Sequence, residues 1–262
     1  MTRALAIANQ KGGVGKTTTS VNLAAGLVQA GKRVLLVDLD PQGNATMGSG
    51  VDKRVTTRTV YNVLLGLGEV ATIRTRSKTG GYDLLPANRE LAGAEVELVD
   101  LPNRETRLRS ALERVKSDYD YILIDCPPSL SLLTINGLVA AQEVLIPMQC
   151  EYYALEGLSD LVGTIKRVRA HLNPTLEIAG LLRTMFDPRN TLAQQVSQQL
   201  ETHFGEKVYR VLVPRNVRLA EAPSYGAPAV VWDAASRGAQ AYLALADEVL
   251  ARDRASQPAE SA

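Results

Sequence analysis

The chain has 262 residues, a formal net charge of +1 and two cysteines, with 45% hydrophobic and 22% charged residues. That balance supplies a large buried core and excludes a disordered chain or a disulfide scaffold. With so little net charge, any anionic partner has to be held by a local patch rather than by the field of the whole molecule.

In chain order, the first apolar run (4–9) predicts a strand that begins almost at once, which is read as leaving no room for a targeting segment. A glycine-rich loop follows, then a helical pattern with Val21, Leu23, Ala24, Leu27 and Val28 on one side, closed by Gly31. A second run (33–40) breaks into Asp38 and Asp40, and a further run (119–125) ends on Asp125, directly before Cys126. Two more runs lie at 143–148 and 177–182, and helices are predicted over 104–116, 155–171, 192–204 and 236–252. Continuous apolar strands alternating with helices predict an α/β fold, a mostly parallel twisted sheet covered by helices on both faces. The Gly-, Thr- and Lys/Arg-rich stretch 66–81 reads as an exposed insertion. With no linker in view, residues 1–252 are expected to form one domain and 253–262 a polar flexible tail.

In such sheets ligands sit beyond the carboxyl ends of the strands, where the loop, Asp38, Asp40 and Asp125 all converge. The loop reads NQKGGVGKTT, Asn9 to Thr18. It departs from the general phosphate-loop pattern, with Gln10 at the first glycine position and an added lysine, Lys11. Gly12, Gly13 and Gly15 let backbone N–H groups close on phosphate oxygens at a helix N-terminus; Val14 and Thr18 complete the cradle. Lys16 adds charge at the β- and γ-phosphates, Thr17 offers a hydroxyl to Mg²⁺, and Asp125 fits the carboxylate that completes the metal's shell, through water. Two lysines of one loop repel each other in a single phosphate site. Lys11 is therefore either a solvated loop residue or a cation aimed at the nucleotide of a second subunit.

The string KGGVGKTT resembles the deviant Walker A motif of the ParA/MinD ATPases. RVLLVDLDPQGNAT, YDYILIDCPPSL, CEYYALEGL and VPRNVRLAEAPSYG extend the likeness along the chain, in order, to the ParA/Soj chromosome-partitioning branch. The resemblance implies a P-loop ATPase of the deviant Walker A type with ATP/ADP and Mg²⁺ as cofactors, hydrolysing ATP weakly. It implies an ATP-dependent sandwich homodimer with Lys11 acting in trans, stimulated by a ParB-type partner. Asp40 corresponds to the aspartate that orients the attacking water and belongs with Thr17 and Asp125 in the metal's surroundings, so that Lys11, Lys16, Asp40 and Asp125 form the catalytic set. Met185, Pro214 and Asn216 are candidates for contacts to the adenine.

Between residues 165 and 220 there are nine Lys/Arg against four acids, an excess with no aromatic interleaving or helix-turn-helix signal. Contact with phosphates alone is blind to base sequence. The resemblance implies that Arg189 and Arg218 bind double-stranded DNA non-specifically, with Lys207, Arg210 and Arg215 as further candidates, and that the protein is cytoplasmic and nucleoid-associated without membrane contact. Three rivals share the loop. A membrane switch would need an amphipathic basic C-terminal helix; an iron–sulfur reductase would use the two cysteines, here read as buried thiols; a tyrosine autokinase would carry a C-terminal tyrosine cluster.

Overall fold

The computed structural model describes residues 2–256. Its strands are β1 (Arg3–Ile7), β2 (Val34–Asp38), β3 (Thr75–Arg76), β4 (Asp83–Leu85), β5 (Tyr121–Asp125), β6 (Glu143–Gln149), β7 (Glu177–Phe186) and β8 (Val208–Pro214). They form one sheet in the order β3-β4-β2-β5-β1-β6-β7-β8, antiparallel only at β3. The helices are α1 (Lys16–Gln29), α2 (Asn44–Gly48), α3 (Val60–Leu65), α4 (Val70–Ile73), α5 (Leu91–Glu97), α6 (Arg107–Glu113), α7 (Leu132–Ala140), α8 (Ala154–His171), α9 (Thr191–Phe204), α10 (Val217–Glu221), α11 (Ala229–Trp232) and α12 (Arg237–Ser256).

The reason for two helical layers is visible in β1. Ala4, Ala6 and Ala8 belong to the core on one face, while Leu5 and Ile7 belong to the core on the other. A strand buried on both faces has no polar side to show, which is why these runs lack alternation. The first face is covered by helices including α3, α5, α6, α7, α8 and α9, whose Leu64, Leu91, Leu108, Leu133, Leu161 and Val196 pack into it. The second is covered by α1 and α12 through Leu23, Leu27, Tyr242, Leu245 and Val249.

Two expectations are corrected. Residues 66–81 are not an exposed insertion: α4 buries Val70 and Ile73, and β3 closes the sheet edge against β4. Helix α12 does not fray at 253 but runs on to Ser256, with Asp253 bound to the Tyr121 hydroxyl and to Arg3. The rest of the expected tail, 257–262, lies outside the described residues.

Candidate nucleotide site

Strands β1, β2 and β5 lie side by side, and their register sets Asp125 beside Ile7 on one side and Asp38 on the other. Parallel strands must all end at the same edge, so the phosphate-loop sequence leaving β1 emerges beside both carboxylates. Gly15 at the start of α1 has φ 89° and Gly13 has φ 72°, left-handed conformations that side chains with a Cβ resist. At Gly12 and Gly13 a Cβ would meet nothing within 4 Å, so the loop's outer surface is clear. No side chain caps α1, and its first-turn N–H groups have no acceptor within the helix. Together these features make a concave row of amides at the positive end of a helix, which is what phosphate oxygens bind.

The loop is held from behind. The Thr184 hydroxyl donates to the Val14 carbonyl at 2.7 Å, and Gln149 Nε2 donates to the Gly13 carbonyl at 3.2 Å. Gln149 Nε2 also lies 2.8 Å from Met185 Sδ. Met185 carries φ 50°, one of two non-glycine residues in the left-handed region among the described residues. That strain sits at the register shift near the end of β7, beside the Gln149 that supports the loop.

The two lysines diverge. Lys16 is 7% exposed and its Nζ donates to the Lys11 carbonyl at 3.1 Å. Burial pulls its pKa below the usual lysine value, opposed by the Asp125 and Asp40 carboxylates. Lys11, with 45% of its side chain exposed, turns outward and pairs with Glu151.

Asp125 is fully buried and accepts from the Thr17 hydroxyl at 2.8 Å and the Ser20 hydroxyl at 2.8 Å. Burial, then the charge of Asp38, pushes its pKa up to about 7, against the pull of those two hydroxyls. Asp38 is raised as well, chiefly by burial. Its carboxylate accepts from Thr46 through both the backbone N–H (2.8 Å) and the hydroxyl (2.7 Å), and from the Asp40 N–H at 3.1 Å. Asp38 thus shapes the turn that carries Asp40. Asp40 is half-buried and accepts from the Gln42 N–H at 2.8 Å. Ser20 and Thr46 had not been singled out in the sequence; Ser20 could have been, standing one helical turn after Thr17 on the face toward Asp125.

The remaining candidates are dispersed. Met185 and Pro214 lie at the ends of β7 and β8, and Asn216 caps α10, its side chain accepting from the Arg218 N–H at 2.9 Å. Arg189, Arg215 and Arg218 follow those same strand ends. Lys207 and Arg210 do not join them: Lys207 precedes β8 and donates to the Ile178 carbonyl near the start of β7 at 3.1 Å, while Arg210 enters β8 beside Glu248. The whole of β8 (Val208–Pro214) lies between Lys207 and Arg215, about 20 Å of strand, and Arg210 sits inside it, about 15 Å short of Arg215.

A family model described as an AAA domain (AAA_31) matches residues 2–178. The chain is 56% identical over 251 residues to the sporulation initiation inhibitor protein Soj of Bacillus subtilis, covering 96% of this chain and 99% of that one. It is 54% identical over 250 residues to the chromosome-partitioning ATPase Soj of Thermus thermophilus, with 95% and 96% covered. The chain belongs to the ParA/Soj family of chromosome-partitioning ATPases. Among solved structures, it is similar to a Mycobacterium smegmatis protein named cobyrinic acid a,c-diamide synthase, with bound ATP analogue and magnesium. That match has 40% identity, a TM-score of 0.86 and 98% of each chain covered. Both cysteines are buried, as expected, and burial raises both thiols, Cys150 to about 11. Among the described residues no helix is long and apolar enough to cross a membrane.

Proposed function

We propose that the protein is a Mg²⁺-dependent ATPase switch for DNA partitioning, a two-fold dimer with ATP that holds DNA without sequence preference and lets go on hydrolysis stimulated by a ParB-type partner. The observation that carries this reading is the divergence of the two lysines: Lys16 is folded into the loop, while Lys11 stands outside on Glu151. A loop that commits one cation inward and offers a second outward supplies a charge to a neighbour's phosphates, so dimerisation becomes conditional on the triphosphate. The names and contents of the related proteins support the partitioning role and the nucleotide.

The residues fit the cofactors. The clear surface over Gly12 and Gly13 leaves room for phosphate, and the Thr17 hydroxyl with the Asp125 carboxylate is an oxygen donor set suited to a hard divalent cation. When bound, Mg²⁺ would neutralise charge on the β- and γ-phosphates. Lys16 and the loop amides bind and orient the phosphates, and Lys11 of the second copy completes their charge balance. Asp40, on a turn fixed by Asp38, orients the attacking water. Such a site is one cation short until the dimer forms, so basal turnover is slow, as suits a timer. Amide synthesis is not favoured: Cys126 and Cys150 are buried, and the two histidines, His171 and His203, are exposed on α8 and α9. Among the described residues neither thiol hydrogen-bonds a histidine, the pairing that would release ammonia from an amide donor.

The test is light scattering coupled to size exclusion, with and without saturating ATP, on the wild type and Lys11→Ala. The wild type should shift from monomer to dimer with ATP, and Lys11→Ala should remain a monomer while still binding the nucleotide. A Lys11→Ala protein that dimerised normally would remove the trans role.

A further inference from the structure

Arg189 and Arg218 are both paired within the chain, and Arg218 is held from three directions. It stands in the first turn of α10, half-exposed. Its Nη1 donates to Glu221 Oε2 at 2.9 Å, and its Nε lies 3.2 Å from Asp233 Oδ2. Its guanidinium carbon is 5.7 Å from the centre of the Trp232 ring, which stacks on Tyr225 with centroids 4.4 Å apart and planes 21° from parallel. Tyr225 is 62% exposed. Arg189, by contrast, is held among the described residues by its near neighbour Asp187 alone, through Nε at 3.0 Å and Nη2 at 2.9 Å.

A guanidinium is a planar fork whose N–H edges match two oxygens of a carboxylate or phosphate. In Arg218 the Nη1 and Nε edges are taken by carboxylates from two different elements, Glu221 in α10 and Asp233 just after α11. A DNA phosphate reaching either edge has to displace one of them. Exposed ion pairs are weak and screened by salt, so the exchange is easily reversed. The aromatic face is a different kind of contact: it attracts the cation without using an N–H edge. It can therefore keep the guanidinium placed after a carboxylate has let go.

We propose that Glu221 and Asp233 are internal competitors of DNA phosphate for Arg218, and that Trp232, backed by Tyr225, is the positioning residue that presents Arg218 to DNA. This rests on the DNA reading given above. It adds that the protein's DNA affinity is set below what its arginines could deliver, at carboxylates that themselves bind neither nucleotide nor DNA. A weakened grip on each chain makes binding depend more steeply on having two copies side by side, which ties DNA retention to the nucleotide-bound dimer.

The experiment is fluorescence anisotropy with a random-sequence duplex at fixed ionic strength, using the full chain with Mg²⁺ and a slowly hydrolysed ATP analogue. Glu221→Gln and Asp233→Asn should each tighten DNA binding by about threefold to tenfold, with dimerisation unchanged by light scattering. In an Arg218→Ala background neither change should tighten binding, a coupling that a general gain of positive charge would not produce. Trp232→Phe should retain affinity and Trp232→Ala should lose it. Equal gains with and without Arg218, or no gain from either carboxylate variant, would overturn the competition. If Arg218→Ala bound DNA as well as the wild type, the DNA reading of Arg218 would fall first, a result distinguishable from failure of the competition alone.

Discussion

The inner strands β1, β2 and β5 and the outer strands β7 and β8 end at the same edge of one sheet, yet they treat charge in opposite ways. At the inner ends Asp38, Asp125 and Lys16 are buried and each is tied to named hydrogen-bond partners. At the outer ends Arg189 and Arg218 are exposed and paired with carboxylates of their own chain. A buried charge commits a region to one arrangement, because moving it costs desolvation. An exposed pair commits to little and exchanges partners readily. Chemistry that must be positioned belongs in the first region, and contact with a long, featureless polyanion belongs in the second.

The sharpest way to break that contrast is to remove a buried charge and change the pH. The Asp125 carboxyl holds its proton up to about 7 in the folded protein, whereas an unfolded aspartate releases it near 4. Between those values the unfolded state binds fewer protons than the folded one, so nucleotide-free stability falls as pH rises. Asp125→Asn should flatten this slope in thermal scans from pH 5 to pH 8, and the wild type should regain stability at pH 8 on adding Mg²⁺ and ATP. A parallel decline in both proteins would show that the burial does not govern the charge. Next in size, Lys16→Ala should weaken binding of a fluorescent nucleotide by about 100-fold, the loss expected for a charge-assisted contact of about 3 kcal/mol. Asp40→Ala should keep nucleotide binding and dimerisation while steady-state phosphate release drops by about 100-fold.

The outer region should give smaller and more selective changes. Arg218→Glu should weaken DNA binding by about tenfold at low salt, with the loss shrinking as salt rises. Arg210→Glu should change it little, because Arg210 lies toward the opposite edge of the sheet beside Glu248. Equal effects at the two positions would mean that DNA does not choose the strand-end face.

The same contrast explains how much was legible beforehand. The central strands were readable because burial on both faces writes itself as unbroken apolar runs, and the loop and its aspartates because close approach to phosphate admits few residue types. The short edge elements were not. β3 has two residues, Thr75 and Arg76, and α4 has four, too few for either periodicity to register, so a polar composition concealed a buried Val70 and Ile73. Nor could composition separate Lys207 and Arg210 from Arg215 and Arg218: a count of basic residues along the chain carries no information about which end of a strand each occupies. The partners of Asp38 were hidden for a related reason, since Thr46 reaches it only because the turn after β2 folds back.

The contact of Asp253 with Arg3 and Tyr121 has a practical meaning for anyone attaching something to this molecule. It brings the last turn of α12 against the starts of β1 and β5, at the rim opposite the phosphate loop. A fluorophore or surface tether introduced near either end of the described chain would hang from that far rim, leaving the ligand-bearing edge unobstructed, and two labels placed there would sit close enough to report on each other.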